Sequence, residues 1–559
     1  MAARRKGMKR SRPSSLAAAA ARLRAVAHRF DPAALEAKRE ALARAARATL
    51  RDARVLPRYH ELLLFLLAHP ADAAQRTVVE AEMRRLAAFL RTRRGRHGAW
   101  LDGEGLPWVE TAARFSHDCV RWLMGHPHAR VTLDGFGEGA RADLNAVLRL
   151  TLPSVERSET TAELDNLALL DTLRVPRSRR LAFVIDELAR LDSQPFVKDH
   201  LFDSLELFVT MRPTDRRLSR AYSRLPVPAV FFQRDLLRAF DARALMDSPL
   251  PALRPLDRAA RDDVVRVVKT AFVLTSRETD PGTYLDERAL AVVDLERGLT
   301  VAVYGMVPER QLPLESYAGF TLFKNGLAAA YGGAWLLGRR AGFGMNIFEP
   351  YRGGESGYMM CQVLRTYRQL FGVSFFEVDA HQFGLDNPDG IATGAFWFYY
   401  RYGFRPLDAA LARLAEHERA TMRRRPGHRS NEKTLLRFTG SNVALNFGGP
   451  VPPHLFDLTT LVTRMVQRRY RSDRQAAERD CLRRLASLTG PLDGLDAAQR
   501  AVAVEVALVA RAMDLDDTRR LGLLRRMIQV KPVNLFAYQH LWLEFFDGHE
   551  HVDGDKHQV

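Results

Sequence analysis

The stretch Gly344-Met-Asn-Ile-Phe-Glu-Pro-Tyr-Arg-Gly-Gly-Glu-Ser-Gly357 decides how we interpret the fold. Its apolar first half predicts a strand, and its glycine-rich second half predicts a turn that opens a helix. The first amide groups of a helix have no partner within it, and the helix dipole places partial positive charge beside them. The junction therefore predicts an anion-binding cradle of the kind that holds phosphate groups.

Alternating helix and strand patterns lie on both sides of this turn. Downstream, the spacing of apolar residues predicts a helix over 358–370, a strand over 373–379 and a second helix over 394–402. Upstream, residues 253–257 predict a first strand and residues 258–272 a helix. Further strands are predicted over residues 299–306, 317–324, 326–337 and 342–348.

Two motifs in this region resemble those of one superfamily. The turn Arg352-Gly-Gly-Glu-Ser-Gly357 resembles the R/Q-x-x-G-x-G/A pyrophosphate turn of the GNAT superfamily of acyl-CoA-dependent N-acyltransferases. The second helix is similar to the A-x-x-x-Y-x-x-x-G-F signature of that superfamily, with Ala395, Tyr399, Gly403 and Phe404 in register. The resemblance covers residues 253–447 and implies an α/β (α+β) domain around a GNAT-like mixed sheet.

The resemblance also implies a function, an acyl-CoA-dependent N-acyltransferase. Acetyl-CoA or another acyl-CoA would be the co-substrate, no metal is expected, and the acceptor would be a primary amine on a protein, an RNA or a small molecule. In the family the fourth and fifth strands splay apart, which implies that backbone groups of Ile347 and Phe348 bind pantetheine and the thioester oxygen. Tyr399 aligns with the tyrosine that commonly protonates the departing thiolate. The implied pyrophosphate-binding residues are Arg352, Gly353, Gly354, Ser356 and Gly357.

Amine acylation also requires a group that removes a proton from the amine. Our first candidate is Glu349, at the end of the predicted fourth strand, and the alternates are Asp379 and His381, which share one face of the next strand. Core packing is an equally good interpretation of Tyr399, which lies among other aromatic residues. A solvated strand end is the commoner role for a residue placed like Glu349.

Glu355 departs from the superfamily pattern, which usually has a glycine at this position. A carboxylate here repels pyrophosphate unless its side chain turns away or Arg352 neutralises it. Two further hypotheses therefore stay open. One is a GNAT-fold scaffold that has lost cofactor binding and serves an interaction role, and the other is a transferase that takes its acyl or aminoacyl group from a carrier or a charged tRNA.

Composition restricts the class of protein and its partners. A net charge of +18 predicts attraction to polyanions. The three cysteines are few and far apart, which argues against a disulfide framework and favours a reducing, cytoplasmic location. No apolar stretch approaches the roughly 20 residues that a membrane helix requires, so we expect no membrane association.

The 559 residues exceed what one hydrophobic core accommodates, so we predict several domains. Residues 1–15 predict a basic disordered arm and residues 16–246 an α-helical domain, in which 109–124 is one helix. The GNAT-like domain is expected over 252–447, with a helical, basic insertion at 408–433 and last strands over 434–438 and 443–447. Residues 454–547 predict a bundle of four α-helices.

Overall fold

The computed structural model of the chain describes residues 15–92, 101–139, 144–161 and 164–547. The described residues form a mixed α/β structure, which confirms the predicted fold class at that coarse level. The predicted basic arm over residues 1–15 lies outside the described residues except for Ser15, where the first helix begins.

Four helices open the described chain. Asp31 caps the second helix by accepting a hydrogen bond from the Ala34 amide, and Pro32 occupies its first turn. The third helix buries Leu63 and Leu67 in the hydrophobic core that also contains the large sheet described below. These helices are α1 (Ser15–Val26), α2 (Pro32–Arg47), α3 (Leu56–Ala68) and α4 (Ala73–Thr92).

A small antiparallel sheet with five surrounding helices follows, and it has its own hydrophobic core. Its strand order is β1-β3-β2. The elements are β1 (Thr111–Ala113), α5 (His117–Met124), β2 (Ala129–Phe136), α6 (Leu144–Thr151), α7 (Asn166–Thr172), α8 (Arg180–Ala189), α9 (Pro195–Ser204) and β3 (Leu207–Pro213).

This small sheet corrects the prediction that residues 16–246 are α-helical. The helix predicted over 109–124 divides into β1 and α5, because Ser116 accepts a hydrogen bond from the Cys119 amide and caps α5. In β3 the alternate residues Leu207, Val209 and Met211 are buried, which is the two-residue period of a strand. We did not assign that short period in the sequence.

An eight-stranded sheet forms the centre of the molecule. Its order is β10-β11-β9-β8-β7-β6-β5-β4, and neighbouring strands are antiparallel except for the parallel pair β8 and β9. Three helices precede it, α10 (Ala242–Asp247), α11 (Arg258–Val273) and α12 (Asp280–Thr283). The strands are β4 (Leu285–Leu295), β5 (Leu299–Met306), β6 (Ser316–Lys324), β7 (Leu327–Leu337), β8 (Arg340–Ile347), β9 (Phe375–Val378), β10 (Arg405–Pro406) and β11 (Val443–Asn446).

Two predicted strands are wrong. Residues 253–257 contribute only one isolated bridge, between Leu253 and Val293, and the first strand of the sheet is β4. Residues 434–438 belong to a helix, because Asn431 caps it by accepting a hydrogen bond from the Thr434 amide.

Five helices are inserted among the last strands of the sheet. Tyr367 of the first of these packs against Phe343 of β8 and donates a hydrogen bond to the Ala318 carbonyl of β6 at 2.7 Å. The helices are α13 (Ser356–Phe371), α14 (Pro388–Thr393), α15 (Ala395–Arg401), α16 (Ala409–Arg424) and α17 (Glu432–Phe438). The predicted helical insertion at 408–433 corresponds to α16 and the start of α17.

The C-terminal bundle contains a fifth helix beyond the four that we predicted. This helix, α22, buries Tyr538 and Trp542 in the bundle core, and its Gln539 donates a hydrogen bond to the Phe371 carbonyl at the end of α13. It therefore joins the bundle to the central sheet. The bundle helices are α18 (Leu455–Tyr470), α19 (Arg474–Thr489), α20 (Ala497–Ala512), α21 (Thr518–Val530) and α22 (Leu535–Asp547).

Candidate functional site

The parallel strands β8 and β9 separate along their length. They pair only from Arg340 to Gly342, opposite residues 375–377, whereas β8 stays paired with β7 as far as Ile347. Strand β9 ends at Val378, and a 3-10 turn, Ala380–Phe383, leads the chain away. Among the described residues, the second half of β8 thus has no strand on one side.

A cleft of about 570 Å³ lies against this part of the sheet. Its floor includes glycines from β7 and β8, and an added Cβ at Gly344 would meet only the Gln382 side chain, at 3.5 Å or more. The Tyr317 and Trp335 rings stack in its wall with centroids 4.3 Å apart, and residues of α18, including Phe456, form the opposite wall. The glycines leave room on a sheet face that side chains would otherwise fill.

Three carboxylates line this cleft, Glu315, Glu377 and Asp379. Both carboxylate oxygens of Glu377 accept hydrogen bonds. One accepts from the Arg340 guanidinium at 2.6 Å, and the other accepts from the side-chain amide of Asn442 at 2.7 Å. Asp379 is exposed and accepts a hydrogen bond from the His381 amide at 2.8 Å. Aromatic rings beside carboxylates suit a ligand that carries both an amine and an apolar group.

We expected Asp379 and His381 to share one strand face, but they do not. Strand β9 ends before them, and Asp379 caps the 3-10 turn. The His381 ring instead contacts the Leu385 carbonyl through Nδ1 at 2.8 Å. Only Asp379 of these two alternates lines the cleft.

The predicted anion cradle before α13 is occupied by the protein's own charges. The Glu355 side chain points inward and is fully buried. Its carboxylate lies 2.9 Å from Lys324 Nζ and 2.7 Å from an Arg297 Nη2, and it also accepts a hydrogen bond from the Leu237 amide at 3.0 Å. Burial lowers the pKa of Lys324 to about 8, although Glu355 opposes that shift. Lys324 and Arg297, and not Arg352, therefore neutralise Glu355.

Side chains from outside the turn cover the glycines of the cradle. An added Cβ at Gly357 would overlap the hydroxyl of Tyr402, which lies over the first turn of α13. His28 of the α1–α2 connection lies over Gly353, and Arg238 donates a hydrogen bond to the Gly353 carbonyl at 3.0 Å. The Tyr402 hydroxyl thus takes the space beside Gly357 in the first turn of α13.

Arg352 and Glu349 lie together, but away from the sheet-face cleft. Arg352 Nε donates a hydrogen bond to the Ile347 carbonyl at 3.0 Å, and its guanidinium lies 3.3 Å from Glu349. Glu349 is also 3.6 Å from Arg277. Both line a second cleft of about 240 Å³, whose walls also include Arg24, Arg58 and Glu61 of the N-terminal helices and His28 of the α1–α2 connection.

Some of the backbone groups of Ile347 and Phe348 that we predicted to be free already have partners within the protein. The Ile347 carbonyl accepts the hydrogen bond from Arg352, and the Phe348 amide donates to the Ala329 carbonyl at 3.0 Å. A 3-10 turn over residues 349–351 follows β8 directly and returns Arg352 toward the strand. Within the described residues, the part of β8 without a neighbouring strand on one side runs over residues 343–347 and so includes Ile347.

Tyr399 is buried in an aromatic cluster with Phe383 and Phe404. Burial raises the pKa of its hydroxyl above the ordinary value for tyrosine. Among the residues that the structure describes, its hydroxyl has no hydrogen-bond partner, and Tyr399 does not line either cleft. The structure therefore does not bring Tyr399 into one cavity with Glu349.

We did not predict several residues that shape these sites. Lys324 could have been found, because a lysine that ends a continuous apolar strand needs a buried partner. Tyr402 and Trp335 show no local signal, since Tyr402 stands in an aromatic run and Trp335 in an apolar strand, and core packing explains both.

Within the described ranges, no group of three or more His, Cys, Asp or Glu side chains has the arrangement of a metal site. The helices of those same ranges include none with the length and apolar character needed to cross a bilayer. Comparison of the chain with protein-family models, curated protein sequences and solved structures found no match.

Proposed function

We propose that this protein is an N-acyltransferase with a GNAT-like central domain, which moves an acyl group from acyl-CoA to a primary amine. The observation that carries the proposal is the separation of the parallel strands β8 and β9 beside a glycine-floored cleft. A sheet opened in this way is what the resemblance of residues 253–447 implies. The turn and helix motifs lie at the corresponding places, directly after β8 and after β9.

In this proposal the thioester lies along the unpaired edge of β8, over residues 343–346, and the acceptor amine enters the cleft. The neutral amine attacks the thioester carbon, the C–S bond breaks, and the amide forms. Asp379 takes the proton from the amine, because it is exposed in the cleft whereas Glu349 is paired with two arginines in the other cleft. The departing thiolate takes its proton from water in the open cleft, because Tyr399, the acid that the motif implies, is buried outside the cleft.

A second candidate keeps the transfer chemistry but changes the donor. The cradle before α13 is filled by the Glu355 ion cluster and covered by the Tyr402 hydroxyl. An acyl or aminoacyl group delivered by a carrier or a charged tRNA does not require CoA pyrophosphate to occupy that turn. A cradle that is filled and covered in this way also fits the hypothesis of a scaffold that binds no acyl donor.

Calorimetric titration with acetyl-CoA and with free CoA tests the donor. We expect saturable binding that Arg352→Ala weakens at least tenfold, since Arg352 is the exposed cation of the turn. The matched control is Arg277→Ala, which removes the other partner of Glu349 but lies outside the turn. Substitutions at Gly357 are unsuitable because any Cβ there meets Tyr402.

Absence of binding at millimolar ligand contradicts the acyl-CoA enzyme. Titration of Tyr402→Ala with CoA then tests whether the Tyr402 side chain blocks the cradle. Recovery of CoA binding identifies a cradle that Tyr402 blocks, and continued absence directs the search to carriers and charged tRNA. If none of these donors supports acylation of an amine panel, the scaffold hypothesis stands.

A further inference from the structure

The helices α16 and α17, with the loop between them, form a strongly cationic surface at the edge of the large sheet. We call residues 409–437 the basic hairpin. Its exposed cations outnumber the carboxylates Glu416, Glu418 and Glu432. The exposed cations are Arg413, Arg419, Arg423, Arg424, Arg425, Arg429, Lys433 and Arg437.

None of these eight cations pairs with a carboxylate within the part of the chain that the structure describes. Glu418 is used inside the hairpin, where it accepts a hydrogen bond from Ser430 at 2.7 Å and lies 3.3 Å from His428. Arg429 donates only to a backbone carbonyl, that of His428. Such a concentration of charge without counter-charge raises the local positive potential and attracts anions.

The four arginines of α16, Arg413, Arg419, Arg423 and Arg424, are all exposed to solvent. Ala415 is the buried residue of α16, and helical periodicity places Arg413 and Arg424 opposite it, whereas Arg419 and Arg423 lie nearer to the side of Ala415. Sixteen residues extend over about 24 Å. That length matches several successive phosphates of a nucleic acid, which carries about one charge per 1.7 Å of duplex axis.

We propose that the basic hairpin binds the phosphodiester backbone of a nucleic acid. Seven of its eight cations are arginine, whose planar guanidinium binds phosphate through two parallel hydrogen bonds. Helix α16 exposes no large hydrophobic side chain, although α17 exposes Leu436, so α16 has neither the apolar face that inserts into a membrane surface nor the apolar anchor of a protein interface.

The hairpin is also joined directly to the sheet-face cleft. It leaves β10 and returns to β11 through Asn442, whose side chain contacts Glu377 and the Ala380 amide in the cleft wall. A nucleic acid on the hairpin would lie beside the cleft that we propose for the acceptor. The binding proposal does not depend on acyl transfer, and failure to bind CoA leaves it intact.

Fluorescence anisotropy of the full chain with labelled single-stranded and duplex RNA and DNA tests this proposal between 50 and 200 mM salt. The test variant is R419Q/R423Q/R424Q/R425Q. Its matched control, R47Q/R258Q/R500Q/R519Q, removes four exposed arginines from four other helices and changes the net charge equally. Circular dichroism and thermal unfolding check that both variants fold.

We expect the hairpin variant to bind at least tenfold more weakly. The slope of log K against log salt should fall by roughly 0.7 to 0.9 for each phosphate that the variant no longer neutralises, with little change in the control. A preference for RNA or for DNA identifies the source of the phosphodiester. The proposal is overturned if neither nucleic acid binds at 50 mM salt, if both variants lose affinity equally, or if poly-glutamate or anionic vesicles bind more tightly than the oligonucleotides.

Discussion

The turn before α13 and the cleft beside β8 are formed by neighbouring parts of the sequence, but they differ in how their space is filled. Side chains of the protein fill the turn, whereas the cleft is open. At the turn, the buried Glu355 is satisfied by Lys324 and Arg297, and Tyr402 covers the helix start. In the cleft, the glycines of β7 and β8 leave open space and Asp379 is exposed. The turn contributes stability, and the cleft is the part that is free to bind a ligand.

This difference shows how a single residue changes the use of a motif. A glycine at position 355 would place no negative charge in the turn. The buried carboxylate of Glu355 requires positively charged partners, and these are buried beside it. Two cations are taken from the sheet region, Lys324 at the end of β6 and Arg297 after β4. The cluster fixes the turn to the sheet.

The largest expected effect is the loss of a partner from the Glu355 cluster. Lys324→Met leaves a buried carboxylate with one cation fewer, and we expect the free energy of unfolding to fall by about 3–5 kcal/mol. Urea denaturation measures it. Lys433→Met, at an exposed lysine without a carboxylate partner, is the control and should change stability by less than about 0.5 kcal/mol. A loss below about 1 kcal/mol for Lys324→Met would mean that the cluster does not hold the turn.

A second buried lysine lies under the cleft and provides a pH test. Lys531 donates hydrogen bonds to the Glu315 carbonyl and the Ser316 hydroxyl, both at 2.6 Å, and burial lowers its pKa from 10.5 to about 7. Between pH 7 and 10 the unfolded chain therefore binds more protons than the folded chain, so this residue makes the protein more stable as the pH rises.

Urea denaturation at pH 7 and pH 9 measures this effect against Lys531→Met. We expect the difference in unfolding free energy between wild type and variant to move by about 2 kcal/mol in favour of the wild type at the higher pH. The difference between the two proteins removes the contribution of other titrating groups. Equal pH dependence in both would show that Lys531 keeps an ordinary pKa in the fold.

The sequence predicted the parts of the fold that have long periodic patterns. Helix α13 was expected over 358–370 and spans Ser356–Phe371, ending where Gly372 takes a left-handed conformation with φ of 66°. Strand β4 was missed because Asp286, Glu287 and Arg288 interrupt its apolar pattern at an irregularity in the pairing. Short patterns such as 434–438 fit helix and strand alike, and only the Asn431 cap decides between them.

The candidate site was predicted less completely than the fold. The sequence identified the turn, but the partners of Glu355 lie 31 residues away at Lys324 and 58 away at Arg297, and no local pattern shows those contacts. Asp379 was visible because a carboxylate at a strand end stands out. Its separation from Glu349 into a different cleft depends on the path of the chain after β8, which periodicity does not describe.

The covering of the cradle can be measured by a double-mutant cycle. Gly357→Ala places a Cβ where the Tyr402 hydroxyl lies, and we expect it to lower the free energy of unfolding by about 1–3 kcal/mol. In a Tyr402→Ala background the same substitution should cost clearly less, because the obstructing ring is gone. Equal costs in both backgrounds would show that Tyr402 does not occupy the start of α13.

The smallest expected effect on the fold, and a selective one on activity, is that of Asp379→Asn. Asparagine can still accept the hydrogen bond from the His381 amide, so we expect the free energy of unfolding to change by less than about 0.5 kcal/mol. With an amine acceptor, kcat/KM should fall at least about tenfold, because the cleft loses the charge that receives the proton. Steady-state assays of thiol release measure this, with Asp389→Asn as the control, since Asp389 is an exposed carboxylate of α14 that does not line the cleft. If the two variants retain equal activity, the amine does not meet Asp379, and the open cleft has a role other than proton removal.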